Sequence, residues 1–258
     1  SIRDFLAAAH KNFSGRKIFH GLDTQGESIL EDIPVEEVLT FRGTVKLHGT
    51  HGDVHLKDGK LITQSRNKII SLEDDSFGFA YFVAKHESWF KTVLADKPEG
   101  YLISGEWAGG NIQKGVAISG MEKAFFFFNK DLSHLADTEK RIFYVGSIRE
   151  EVFSVCSSKV KDVMPRIDEL TLEVDQNCPW GAFLNPDSDS KVGEGWVWSV
   201  TNASGSFKFL FKSKGESHRR TGSKPRRTCP NDVIDSEALS TFFSEYLTDD
   251  RLEQGLEY

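Results

Sequence analysis

Between Thr44 and Asn67 the chain reads TVKLHGTHGDVHLKDGKLITQSRN, where apolar and polar residues alternate and glycines fall at 49, 52 and 59. Alternation with a period of two is the pattern of a half-buried β-strand, and Asp58-Gly59 is a favoured two-residue hairpin turn. The stretch therefore predicts strand, turn, strand. YLISGEWAG, GVAIS and KAFFFFNKDL predict three further short strands, and VFSV at 152–155 predicts another. The last two expected strands are GWVWSV and FKFLFKSK, apolar or alternating and bounded by Gly or Ser.

Helical periodicity is sparser. Residues 2–12 predict an amphipathic helix, and residues 74–95 another, with Phe79, Phe82, Val83, His86, Phe90 and Val93 near a 3.6 period. Residues 157–172 give a weaker pattern, interrupted by Pro165. Strands and helices mix without βαβ alternation, so the expected fold is α+β, with largely antiparallel sheets flanked by helices. The main domain is expected over residues 1–215. Residues 216–258 read as a basic linker, SHRRTGSKPRRTCPND, and a C-terminal helix at 236–252 that packs on the main domain or opens a second one.

Composition narrows the function classes. No stretch approaches the roughly 20 apolar residues of a membrane span, and the charged N-terminus reads as a helix rather than a secretory signal. Cys156, Cys178 and Cys229 are widely spaced and never form a CxxC pair, so neither a disulfide nor a structural zinc is expected. An intracellular protein fits both observations. The formal net charge of −7 argues against wholesale nucleic-acid binding, but local basic stretches can still take phosphate. The most cationic one runs from Lys212 to Arg227, where seven Lys and Arg residues face the single acid Glu216.

Chemistry is concentrated at strand ends. Lys46-Leu-His48-Gly49 places a lysine and a histidine on one face of an extended segment, with a glycine that permits a tight bend or a close approach. Glu106 follows a glycine in ISGEWAG, Glu194 lies between two glycines before WVWSV, and Lys212 and Lys214 share a face at the end of FKFLF. Taken singly, each has the bland reading of a solvated strand end. HGTHGDVH also brings His48, His51 and His55 together, but without a neighbouring cysteine they read as lining a cleft or facing solvent rather than holding zinc. There is neither a Walker A motif nor an HExxH.

The order of these pieces is more specific than any one of them. KxHG, SRN, GE, an aromatic strand, EG before an apolar strand and then KxK, over residues 46–214, resembles the covalent nucleotidyltransferase superfamily of polynucleotide ligases and capping enzymes. His48 followed by Gly49-Thr50 resembles its ATP-dependent RNA ligases, of the phage and RNA-editing type. That resemblance implies a nucleotidyltransferase fold, ATP as AMP donor, Mg²⁺ or Mn²⁺, RNA 3′-hydroxyl and 5′-phosphate ends as partners, and a monomer. It implies Lys46 as nucleophile, with His48 and Gly49 of the same motif at the nucleotide. Arg66 and Glu106 would contact the ribose region, and Phe128 would stack on adenine, with Phe126 as the second choice. Glu194 would support the metal, and Lys212 and Lys214 would hold the α-phosphate. Val45 and His51 depart from the family's acidic residue before the lysine and its Asn after Gly-Thr. A DNA ligase, a capping guanylyltransferase and a non-catalytic RNA-end-binding module remain the alternatives.

These residue types suit nucleotidyl transfer. A lysine attacks only as the free amine, and an ordinary ammonium pKa of about 10.4 leaves little of it at neutral pH. Nearby cations disfavour the charged form, and they also stabilise charge building on phosphate oxygens. The basic segment beyond the strands serves differently, since its cations are scattered among Ser, Thr, Gly and Pro and suit a phosphate backbone. Replacing Arg219, Arg220, Arg226 and Arg227 with Ser is expected to spare adenylylation while weakening RNA binding. The salt slope of RNA affinity should flatten by roughly 0.7–0.9 per lost contact.

Overall fold

The computed structural model describes residues 1–33, 35–75 and 77–218. The segment Arg219–Arg227 and the helix expected at 236–252 lie outside the described residues.

The chain opens with α1 (Ile2–Phe13), whose Ser1 and Asp4 form a reciprocal capping box, followed by a two-stranded hairpin of β1 (Arg16–Leu22) and β2 (Ser28–Ile33). Next come β3 (Val38–Lys46), β4 (Thr50–Lys57), β5 (Lys60–Gln64) and β6 (Ile69–Ile70). Asp58 and Gly59 join β4 to β5 with φ of 50° and 73°, the left-handed pair that a tight hairpin requires. The helix expected at 74–95 is two helices, α2 (Phe79–Lys85) and α3 (Glu87–Leu94), broken at His86, which leaves helical geometry at φ −109°, ψ 26°.

Then follow β7 (Ile103–Ala108), β8 (Ala124–Phe127), β9 (Ile142–Tyr144) and β10 (Glu150–Cys156). GVAIS is not a strand. It is a chain of turns in which Ser119 N–H donates to Val116 O and Gly120 N–H to Gly110 O, so its apolar residues are buried by a folded loop rather than by a sheet. Nor does Pro165 interrupt a helix. It occupies the first turn of α4 (Met164–Gln176), where the missing N–H has no helical partner to lose. After α5 (Pro179–Leu184) the chain ends its described part with β11 (Gly195–Asn202) and β12 (Lys208–Lys214).

Two sheets carry the architecture, and the fold is α+β as expected. One has the strand order β10-β3-β11-β12, and the other β6-β5-β4-β7-β8-β9; every pairing is antiparallel except β8 with β9. In the four-stranded sheet, Phe41, Val45, Trp196, Trp198 and Phe211 turn inward. Phe5 of α1 meets Phe41 at 5.4 Å and Phe211 at 5.0 Å, ring to ring. The indole N–H of Trp196 donates to Leu170 O of α4 at 2.8 Å. Ser213, between the two lysines of β12, accepts hydrogen bonds from Trp198 Nε1 at 3.0 Å and Thr171 Oγ1 at 2.7 Å. The serine of KSK thus ties β12 to α4 while its neighbours face outward.

In the six-stranded sheet, Phe125 and Trp107 pack on Phe79 and Phe82 of the helices. Phe126 points the other way but is just as enclosed, at 0% exposure, with Phe143 at 5.6 Å and Trp180 of α5 at 4.8 Å. It offers no face to a ligand, because α5 covers that part of the sheet; Phe128, one residue beyond β8, is 42% exposed. Phe126→Ala is therefore expected to act on the fold, lowering unfolding stability by about 3–5 kcal/mol in denaturant titrations, the usual cost of a cavity of that size.

Candidate active site

Register assembles the first wall. Gly195, the first residue of β11, pairs with Lys46 at the end of β3 on one side and with Lys214 at the end of β12 on the other. Glu194, immediately before it, is consequently delivered between the two lysines. Lys46 Nζ donates to Glu194 Oε2 at 2.5 Å and Lys214 Nζ lies 2.7 Å from Oε1. His48 Nδ1 stands 3.3 Å from Oε2. The carboxylate is only 2% exposed, and all three partners come from the segments expected to carry chemistry. Gly195 holds φ 128°, and a Cβ there would collide with the Ser213 carbonyl, so only glycine lets the three strand ends come this close.

The six-stranded sheet supplies the opposite wall. Gly49 N–H donates to Glu106 Oε1 at 2.8 Å, and any side chain at 49 would strike the Trp107 carbonyl. The glycine is thus required by the close approach of β7 rather than by that of a ligand. His51 pairs in register with Glu106, and its Nε2 lies 2.9 Å from Oδ1 of the buried Asp53, so the residue that departs from the family pattern is anchored on this wall. Phe128 lies 6.4 Å from the His51 ring.

Between the walls runs a cleft of about 760 Å³, large enough for a nucleotide, whose lining includes Lys46, Arg66, Glu106, Phe128 and Lys212. Arg66 reaches it from the exposed turn after β5. Of the two lysines of KxK, Lys214 is spent on Glu194 and Lys212 lines the cleft. Sequence reasoning missed three residues here. His218, in a short turn after β12, brings its ring 5.3 Å from that of His48. Arg42 and Lys130 line the cleft beside Lys46. Arg42 shares a strand face with Lys46 at a spacing of four, which the period-two pattern could have revealed. Lys130 depends on where the chain leaves β8.

The electrostatics divide the carboxylates. Burial pushes Glu194 up, but hydrogen bonds from His48, Lys214 and Lys46 outweigh it and hold the carboxyl far below its usual range. Glu106 is raised, by burial first, which the Lys46 charge and the Gly49 N–H only partly offset. Burial and the neighbouring Lys46, Arg66 and Lys214 charges hold the Lys212 ammonium below its ordinary value.

Among the described residues no three His, Cys, Asp or Glu side chains are grouped to hold a metal alone. Mg²⁺, however, is commonly bound through one or two carboxylates plus substrate phosphates. Glu194, ionised and set among phosphate-seeking cations, fits as the protein's contribution to such a site. Among the described residues no helix is long and apolar enough to cross a membrane.

The two-sheet cleft thus has a lysine at its floor, a raised carboxylate on its six-stranded side, an ionised one beside the lysine, and an exposed aromatic among its lining residues. The family model that matches residues 39–214, most of the chain, is RNA ligase, and the chain belongs to that family. No curated protein matches. Among solved structures, a point mutant of the Naegleria gruberi RNA ligase with ATP and Mn aligns at 17% identity and a TM-score of 0.44. The alignment covers 69% of this chain and 50% of that one, so the chain spans half that protein's length.

The two carboxylates should imprint opposite slopes on stability. For Glu194 the folded pKa lies below the unfolded value, so its contribution is complete above about pH 5 and is lost as pH falls below its ordinary 4.5. For Glu106 it lies above 4.5, so its contribution is present below that value and is lost as pH rises through the folded pKa. Thermal melts across the acid range are expected to lose the rising limb in Glu194→Gln and the falling limb in Glu106→Gln.

Proposed function

We propose that the protein is an ATP-dependent RNA ligase that forms a covalent AMP adduct on Lys46 and uses it to join RNA 3′-hydroxyl and 5′-phosphate ends. The observation that carries this reading is the convergence of Lys46, Lys214 and His48 on one buried Glu194 at the floor of the cleft. A module that only held RNA ends would need neither an enclosed lysine there nor a buried carboxylate to engage it.

In this reading the Lys46 ammonium leaves the Glu194 contact and gives a proton to solvent, and the free amine attacks the α-phosphorus of ATP as pyrophosphate departs. Lys212, and Lys214 when it turns from Glu194, stabilise the charge that gathers on the α-phosphate oxygens. Glu106 accepts a ribose hydroxyl, Arg66 closes over the ribose, and Phe128 stacks on the base. A divalent cation held by Glu194 would supply further electrostatic stabilisation of the phosphates. AMP then passes from Lys46 to an RNA 5′-phosphate, and a 3′-hydroxyl attacks that phosphate with release of AMP.

Incubation with α-labelled ATP and Mg²⁺ followed by denaturing electrophoresis is expected to label the protein, and Lys46→Ala to abolish the label. Phe128→Ala should retain folding but require more ATP. Labelling of the alanine variant at the parental level would remove Lys46 from the mechanism, and a label from GTP but not ATP would favour a capping guanylyltransferase.

A further inference from the structure

On the six-stranded wall an imidazole and a carboxylate stand beside two groups that the reaction above uses, and the reaction leaves them idle. His51 of β4 is paired in register with Glu106 of β7, and Asp53 with Ser104. His51, Ser104 and Glu106 line the cleft, whereas Asp53 lies behind them, 6% exposed. Its Oδ1 is 2.9 Å from His51 Nε2, and its Oδ2 accepts a hydrogen bond from Gln64 Nε2 at 3.2 Å. Burying a carboxylate is costly, and this one is set against the back of a cleft-lining ring.

Charge fixes what the ring can offer. Burial pushes Asp53 up, but the polar contacts of His51, Ser104 and Gln64 outweigh it and hold the carboxyl below its usual range, so it is an anion at neutral pH. A ring nitrogen that faces an anion carries the proton, and the other nitrogen of a neutral imidazole is then an acceptor. Nδ1 of His51 is that acceptor. Position fixes what it can meet. Directly opposed residues of an antiparallel pair have Cβ atoms about 5 Å apart, so whatever Glu106 holds is within reach of His51. Glu106 gives Oε1 to the Gly49 N–H and keeps Oε2 for a further donor. Phe128, whose N–H donates to Ser104 O at 2.7 Å, brings its ring 6.4 Å from that of His51. A ligand that reaches from Glu106 to Phe128 therefore passes the imidazole. Two acceptors side by side suit two neighbouring hydroxyls, as in the cis-diol of a ribose.

We propose that His51 is a sugar-specificity residue: together with Glu106 it receives the ribose cis-diol, one hydroxyl donating to His51 Nδ1 and the other to Glu106 Oε2. Asp53 is a positioning residue that fixes the tautomer of the imidazole from behind. The assignment rests on the nucleotide-binding reading given above, and it falls at the position where this chain departs from the family's asparagine. An asparagine amide can turn either its oxygen or its NH₂ to a sugar. The imidazole backed by Asp53 presents an acceptor only, so it selects for a hydroxyl that donates.

The test compares ATP, 2′-deoxy-ATP and 3′-deoxy-ATP on the full chain, by calorimetric binding and by the rate of protein labelling, in the parent and in His51→Ala. The parent is expected to lose roughly tenfold in affinity for each deoxynucleotide, as for one hydrogen bond. His51→Ala should lose a similar factor for ATP, become blind to the removal of one hydroxyl and stay sensitive to the other, because side chain and hydroxyl are the two ends of one contact. Should the alanine variant fail to fold, His51→Phe keeps a ring and removes the acceptor, and the same pattern is required of it. A folded variant that stays sensitive to both hydroxyls, or that weakens all three nucleotides alike with a lower Tm, overturns the proposal and makes the pair a tie within the sheet. A parent labelled by ATP but indifferent to both hydroxyls overturns it too and spares the ligase reading. The expected binding pattern without any label would sink the ligase reading and leave this one standing; binding of none of the three overturns both.

Discussion

One steric requirement underlies the site: β11 must begin between two strand ends that leave no room for a side chain. Gly195 satisfies it with a backbone that only glycine adopts freely, and from that single fit the register of β3, β11 and β12 follows. Glu194 then has no choice of neighbours. Its carboxylate is buried, yet it remains ionised because Lys46, Lys214 and His48 arrive with the strands. Removing a partner from such a buried group is costly, whereas the assembled cluster satisfies itself.

The two walls of the cleft follow opposite electrostatic logic. On the four-stranded side, cations keep a carboxylate charged; on the six-stranded side, burial raises Glu106 more than the Lys46 charge and the Gly49 N–H lower it. A single nucleotide lying between them would meet charge at its phosphate and hydrogen-bonding groups at its sugar. Such pairs of titratable groups with diverging environments are common at functional sites.

Much of this was legible in the chain. Alternation and the Asp-Gly turn give β3 to β5, and the order from KLHG to KSK picks out the lysines, Glu106 and Glu194 that the fold brings to one cleft. What escaped was what depends on contacts between distant segments. GVAIS has strand composition but is held in turns, and its Ala117 N–H donates to the carbonyl of the distant Val192. Phe126 and Phe128 differ by two residues, and the sequence assigns them one face, yet α5 covers the first and stops short of the second. His218 and Lys130 acquire meaning only from the strand ends they follow.

The chain passes directly between the two sheets at Leu47–Gly49, from β3 to β4, and at Val145–Arg149, from β9 to β10. Because Glu150 is paired with Thr44, both passages lie at the same end of β3, next to Lys46. The cleft is therefore built like a clamshell whose pivot is the lysine itself. Any opening between the sheets would swing the far rim, around Thr40 and Lys208, through the longest arc, while Lys46 stays near the axis. In the proposed reaction, such a layout would let the protein admit and release substrates of different bulk in successive steps without displacing the lysine nitrogen.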